Sequence, residues 1–191
     1  MTHDPLRMLL DRRALLGAFA ASASSVAFGG VCGAPTEPNI EGPFYRPHSP
    51  VRAELVRPGD VGQRLEIVGQ VRDASCRPIP GAIVDIWQAD GSGAYDNESA
   101  EMRLRGHVLT DVDGRYRVLS VVPGRYLNGR RFRPAHVHYK VGVDGRERLT
   151  TQLYFEGDEF IKGDAFVHPS LVRPMLTDDK SAHVEFDLVI G

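Results

Sequence analysis

Short apolar runs separated by turns rich in Gly, Pro and Asp are the feature that most constrains the fold of this 191-residue chain. Residues 82–88 (AIVDIWQ) are rich in β-branched and aromatic side chains, which favour strands. Strands are predicted over 64–71, 82–88, 106–110, 114–121, 132–143, 149–155 and 181–190, and short helix only within 98–103 and 157–170. This spacing predicts an all-β fold, a β-sandwich of mainly antiparallel strands with long loops.

The N-terminus differs from the rest of the chain. Arg12-Arg13 precedes an apolar, small-residue run over 17–30 that is too short to span a membrane comfortably. Residues 1–34 therefore resemble a twin-arginine export signal. The alternative is a disordered or membrane-tethering terminus. We expect export to the periplasm or the extracellular space, no stable membrane span after export, and a mature domain over residues 35–191.

The mature part has the length of one domain. The net charge of the whole chain is −2, and no basic run is present, which argues against nucleic acid as the main partner. Residues 36–50 contain four prolines and cannot form a regular helix. Because this arm carries aromatic residues in Glu41–Tyr45, we expect it to lie across its own domain, a neighbouring subunit or a pocket. Cys76 is either free or paired with Cys32.

Two histidines one residue apart, His136 and His138, lie in a predicted strand and project from the same face. That spacing allows two imidazoles to bind one metal ion, whereas Tyr139 turns to the other face. Tyr126 follows a Pro-Gly turn, and Tyr95 ends a glycine-rich run. Phenolate oxygen favours a hard trivalent ion such as Fe(III), while imidazole suits many metals. A three-histidine zinc site that includes His107, or an Fe(II) site with two histidines and one carboxylate, is the alternative.

Several linked motifs resemble the intradiol ring-cleavage dioxygenases, with the closest likeness to protocatechuate dioxygenase subunits. The resemblance extends from about Glu41 to the C-terminus, with the motifs in the same order and at compatible spacing. The motifs are PGAIVDIWQADGSGAY (80–95), TD and GRY within 110–116, PGRY (123–126), RPAHVH (133–138) and TQLYF (151–155). The Glu41-Gly42-Pro43 segment also resembles the N-terminal segment of this family.

The resemblance implies a non-haem Fe(III) cofactor with Tyr95 and His136 as equatorial ligands and Tyr126 and His138 as axial ligands. Tyr126 would also act as a base, and Arg133 would stabilise negative charge on the ring. Gln152 would line the substrate pocket, and Gly42, Pro43 and Tyr45 would form part of its wall. The family fold is a β-sandwich whose long loops carry the metal site, in agreement with the strand pattern.

The reaction implied by the resemblance is cleavage of a catecholic ring with O2 to a cis,cis-muconate-type product, in the catabolism of aromatic compounds. The alternative function is a non-catalytic exported β-sandwich binding module. We expect an oligomer, either homomeric or with a second subunit type. Catechol, protocatechuate, hydroxyquinol and larger lignin-derived catechols all stay open as substrates. Four arginines are interpreted either as contacts for a substrate carboxylate or as surface charges: Arg103, Arg105, Arg130 and Arg131.

Overall fold

The structure is a computed structural model that describes residues 33–191. The predicted export signal lies, except for its last two residues, outside the described residues, and so does Cys32. Cys76 is in a disulfide. Within residues 33–191 no helix is long and apolar enough to cross a membrane.

Twelve strands form the described part of the chain, and two short 3-10 turns are its only helical elements (161–163 and 169–171). The all-β prediction is confirmed. The strands are β1 (Arg64–Asp73), β2 (Ile83–Gln88), β3 (Arg105–Leu109), β4 (Arg115–Val121), β5 (Tyr126–Asn128), β6 (Arg131–Arg133), β7 (His136–Val143), β8 (Arg146–Phe155), β9 (Val172–Arg173), β10 (Leu176–Thr177), β11 (Ser181–Glu185) and β12 (Leu188–Ile190). The helix predicted within 98–103 is wrong, because that segment is a series of turns.

The strands form two five-stranded sheets and a separate hairpin. One sheet has the order β10-β11-β1-β12, with β4 also paired to β1, and the other has the order β3-β2-β7-β8-β9. Most neighbouring strands are antiparallel, whereas β1 pairs in parallel with β11 and β12, and β8 pairs in parallel with β9. The hairpin consists of β5 and β6, with Tyr126 opposite Arg133.

The core lies between the two sheets and is built from one face of each. Alternation along β7 places Val137, Tyr139 and Val141 in this core, where Tyr139 packs against Phe186 at 5.2 Å between ring centroids. The prediction that Tyr139 turns away from the histidines is therefore confirmed. Burial of such large side chains contributes about 1.5–3 kcal/mol each to folding.

Two predicted strands are interrupted. The strand predicted over 132–143 divides at Pro134, which cannot donate a ladder hydrogen bond. The strand predicted over 181–190 divides at Phe186, because β1 changes its parallel partner from β11 to β12 at Gly69. A Cβ at Gly69 would overlap the carbonyl oxygen of Phe186, so the crossing of these two chains requires glycine.

The N-terminal arm lies across its own domain, which is one of the three placements expected from the sequence. Main-chain hydrogen bonds hold it along its length, from Thr36 N to Val189 O (2.9 Å) and from Asn39 N to Thr150 O (2.8 Å). The side-chain amide of Gln152 donates to Ile40 O at 2.7 Å. The arm therefore covers the face of β2, β7 and β8 that points away from the core.

Candidate active site

The face of the second sheet beneath the arm carries the predicted site. Strand register places Trp87 of β2 and Gln152 of β8 on either side of His138, and Tyr154 of β8 beside His136. All five side chains are at most 2% exposed. The arm thus converts an outer sheet face into a desolvated polar site, in which electrostatic interactions are stronger than in water.

Three of the four predicted ligand atoms converge on one another. The Tyr95 hydroxyl oxygen lies 3.1 Å from Nε2 of His138 and 3.4 Å from Nε2 of His136. The Tyr126 ring packs edge-on against Tyr95 at 5.5 Å and lies 5.6 Å from the His136 ring, both measured between centroids. The structure therefore brings together all four side chains that the sequence predicts as metal ligands.

The two tyrosines come from separate loops that are packed through glycine. The carboxylate of Asp90 accepts hydrogen bonds from the amides of Ser92 (2.9 Å) and Ala94 (3.0 Å), which shapes the turn before Tyr95. A Cβ at Gly93, where φ is +88°, would overlap Arg125 O, directly before Tyr126. A Cβ at Gly124 would lie 2.5 Å from Gly91 O. The two loop backbones therefore touch, and no side chain fits between them.

The imidazoles are held as neutral ligands. Nδ1 of His136 lies 2.7 Å from the carbonyl oxygen of Pro134, so Nδ1 carries the proton and Nε2 keeps its lone pair. Burial lowers the pKa of His136 to about 4, and the charge of Arg133 adds to this effect. Burial, followed by the proximity of His136, also lowers the pKa of His138 well below its ordinary value. Both rings are therefore available to bind a cation at neutral pH.

Arg133, which the sequence predicts to be catalytic, also lies at the site. Its Nε donates to Asp164 at 2.6 Å, and its Nη2 donates to the Tyr154 hydroxyl (2.9 Å) and to Oε1 of Gln152 (3.2 Å). Burial alone would lower the pKa of Arg133, but the hydrogen bond to Asp164 and the nearby Tyr154 and Tyr126 hydroxyls outweigh it and raise the pKa. The guanidinium is thus permanently charged and fixed beside the ligand rings.

Gly42, one of the three residues predicted to form the substrate wall, lies directly against a ligand ring. A Cβ at Gly42 would come within 3.3 Å of the His138 ring, while Pro43 is exposed. Tyr45 packs against Trp87, which in turn stacks on His138, so Tyr45 lies one aromatic layer behind the ligands. The wall-forming roles of these three residues stay predictions.

Phe44 is the residue of the arm that sequence reasoning missed. Its ring stacks on Tyr95 at 4.2 Å and meets Tyr126 edge-on at 5.5 Å. The signal was present, since Phe44 lies between two residues predicted to form the wall. Asp164, the partner of Arg133, was also missed, and no local pattern around it marks a role.

The donor set fits a metal ion, and specifically one that accepts both phenolate and imidazole. Nδ1 of His138 has no hydrogen-bond partner within the described part of the chain, so the ring orientation depends on stacking and on whatever Nε2 binds. Across residues 33–191, no group of three or more His, Cys, Asp or Glu side chains is arranged to hold a metal. The alternatives of a three-histidine or a two-histidine, one-carboxylate site therefore have no matching cluster in that range.

Comparison with known proteins agrees with this geometry. Residues 40–190 match the family described as dioxygenase. The chain belongs to the intradiol ring-cleavage dioxygenases. It is 34% identical to a chlorocatechol 1,2-dioxygenase of Pseudomonas sp. (strain P51), over 81% of this chain and 70% of that protein. It is 35% identical to a catechol 1,2-dioxygenase of Pseudomonas sp. (strain EST1001), over 76% of this chain and 53% of that protein.

Solved structures show the same fold. The dioxygenase domain of a dioxygenase–carbohydrate-binding protein fusion from Streptomyces sp. SirexAA-E is 37% identical, with a TM-score of 0.75 over 82% of this chain and 98% of that one. The 3-chlorocatechol 1,2-dioxygenase of Rhodococcus opacus 1CP is 27% identical, with a TM-score of 0.75 over 82% of this chain and 72% of that one. This intradiol dioxygenase is thus an oxidoreductase. The closer likeness to protocatechuate dioxygenase subunits stays a prediction.

The glycine contact between the two tyrosine loops can be tested by Gly93→Ala. We expect a loss of roughly 3–5 kcal/mol in the free energy of unfolding, because the new Cβ overlaps backbone and not a movable side chain. The matched control is Gly81→Ala, since Gly81 has φ +70° but no heavy atom of the described residues within 4 Å of its Cβ position. That variant should lose only about 1–2 kcal/mol. Equal losses in chemical denaturation would contradict the close approach.

Proposed function

We propose that this dioxygenase uses non-haem Fe(III) to open the ring of a catecholic aromatic with O2, giving a cis,cis-muconate-type product in aromatic catabolism. The observation that carries the proposal is the convergence of the Tyr95 hydroxyl with Nε2 of His136 and His138, with the Tyr126 ring beside them. The names of the similar catechol and chlorocatechol 1,2-dioxygenases support catechols and O2 as substrates.

Tyr95, Tyr126, His136 and His138 would hold the iron. Burial, with the nearby Tyr126 hydroxyl, raises the pKa of Tyr95 well above its ordinary value, so its phenolate form depends on a bound cation. Bound Fe(III) would withdraw electron density from the catechol dianion, so that the ring reacts directly with O2. In the overall reaction the bond between the two hydroxyl-bearing carbons breaks, and each of these carbons becomes a carboxylate that contains one oxygen atom from O2.

The side chains around the ligands would accept a proton, stabilise negative charge and exclude water. As a metal ligand Tyr126 would be a phenolate, so its oxygen would accept a catechol proton and become a phenol. Arg133 lies opposite Tyr126 in the β5–β6 hairpin. The guanidinium of Arg133 also faces negative charge that develops on the ring, which is most effective in a desolvated site. Gln152 is fixed between Arg133 and the arm carbonyl of Ile40, so it would line the pocket in one orientation. Phe44 and Trp87 exclude water from the ligand rings.

The alternative of a non-catalytic binding module is not supported. All four proposed ligands and Arg133 are present and assembled, and the chain belongs to an enzyme family. Oligomeric state, the need for a second subunit type and the particular catechol stay open predictions.

We also propose that the protein is exported through the twin-arginine route, which transports folded proteins. The paired Arg12-Arg13 before an apolar run supports this. Replacing both with lysine should retain the full-length protein in the cytoplasm. Fractionation of cells that express each form checks this, and an unchanged distribution between fractions would contradict the proposal.

The metal assignment predicts a visible property. Full-length protein expressed with iron should be reddish-brown, because tyrosinate-to-Fe(III) charge transfer absorbs visible light, and it should consume O2 with a panel of catechols. Tyr95→Phe should lose most of this absorption and bind iron more weakly. Tyr139→Phe is the control, since that tyrosine directly follows His138 in β7 but faces the core. A colourless, iron-free wild type, or ring-extended aldehydes as products in place of muconates, would refute the function.

Tyr126 has a separate expected effect. Tyr126→Phe should retain iron through the other three ligands but lower kcat by about 100-fold or more, because it removes a positioned base. Stopped-flow absorbance during substrate binding measures the deprotonation step directly. If Tyr126→Phe turns over like wild type while Tyr95→Phe does not, the base is another group.

A further inference from the structure

Arg105 is a buried cation that the proposed mechanism does not use. It begins β3, opposite Trp87 of β2, and is 1% exposed. Neither of its sequence-based interpretations fits this position, because it is no surface charge and its nitrogens are already engaged with protein oxygens. Its guanidinium donates to three neutral acceptors: Asp96 O (3.0 Å), Phe44 O (2.6 Å) and Oδ1 of Asn97 (3.3 Å). Among residues 33–191 no carboxylate oxygen forms an ion pair with it.

The three acceptors belong to the two segments that meet at Tyr95. Asp96 and Asn97 directly follow Tyr95, and Phe44 is the arm residue whose ring stacks on it. A guanidinium presents its donors in a fixed planar fork, so one Arg105 side chain sets the distance between these two backbones. A single side chain thus fixes the position of the Phe44 ring relative to the Tyr95 ring.

The loop after Tyr95 needs such support. Met102 and Leu104 have φ of +49° and +54°, which costs a non-glycine residue about 1–2 kcal/mol each. Two more arginines bind the same loop: Arg46 of the arm donates to Ser99 O at 2.9 Å, and Arg52, just after the arm, donates to Glu101 O at 3.2 Å. Of these three arginines, Arg105 is the one that is fully buried and contacts the backbone next to Tyr95.

Removing a guanidinium from water is costly, so a buried arginine is tolerated only where its hydrogen bonds are made. Within the described residues, all the hydrogen bonds that the Arg105 side chain donates go to the Tyr95 loop and to the arm. These two segments therefore determine the position of Arg105, and Arg105 in turn holds them together.

We propose that Arg105 is a positioning residue for Tyr95: it ties the Tyr95 loop to the arm at Phe44 and so holds the Tyr95 ring where its oxygen meets the two histidines. The inference rests on the proposed function, because it takes Tyr95 as an iron ligand. Arg105 acts through Tyr95 and does not touch the reacting ring, which distinguishes it from Arg133.

The test uses full-length protein with Arg105→Gln and Arg105→Lys. Ferric iron is titrated into each iron-free protein, and the charge-transfer band is recorded. Arg105→Gln should bind iron about 10- to 100-fold more weakly, as expected for a residue that orients a ligand. Its charge-transfer band should weaken, because the Tyr95 ring is no longer held in one orientation. Arg105→Lys keeps the charge but loses the planar fork, so its affinity for iron should fall as well.

Arg103→Gln is the matched control, since Arg103 lies in the same loop but directs its side chain to Asp60 at a partly exposed position. It should leave both affinity and band unchanged. A folded Arg105→Gln protein with wild-type affinity and band overturns the inference. If circular dichroism shows that Arg105→Gln does not fold, Arg105→Lys decides: wild-type affinity then overturns the positioning role, and weakened affinity supports it. A wild type without any charge-transfer band refutes the proposed function itself, which separates the two failures.

Discussion

The contact between the backbones of two loops, 90–93 and 124–125, is the constraint on which the site depends. Because Gly93 and Gly124 have no Cβ, the chain ahead of Tyr95 lies directly against the chain ahead of Tyr126. The histidines need no such device, since strand alternation alone sets their spacing in β7. The sheet positions the two histidines, and the two packed loops position the two tyrosines. The convergence of four rings is therefore a property of backbone packing before any metal is bound.

Charge is arranged around the rings in an asymmetric way. On one side Arg133 is neutralised by Asp164 at 2.6 Å, so its remaining donors can serve the pocket without a large desolvation cost. On the other side Arg105 binds neutral carbonyl oxygens only, within the described residues. One cation is thus paired directly with a carboxylate, whereas the other binds backbone and amide oxygens and is balanced by Asp96 and Asp85 only at longer range. The two arginines are equivalent in type but not in electrostatic role.

Much of the fold was predictable from the sequence, because period-two patterns and turn residues are local signals. The pairing of His136 with His138 and the opposite direction of Tyr139 follow from alternation alone. Longer-range features were not predictable in this way. The division of the last strand at Phe186 depends on β1 changing partners, and the place of Phe44 at the site depends on how the arm crosses three strands. Asp164 pairs with Arg133 across a loop, and nothing near it in the chain indicates that contact.

The arm has a consequence for how such an enzyme can change. It is attached largely through main-chain hydrogen bonds, from Thr36 to Val189 and from Asn39 to Thr150, which do not depend on the side chains they carry. The four rings proposed as metal ligands all come from elsewhere in the chain. The predicted substrate wall and the proposed ligands are therefore encoded by separate segments. On this proposal, mutations in the arm change ring selectivity in small steps and leave the ligands unaltered.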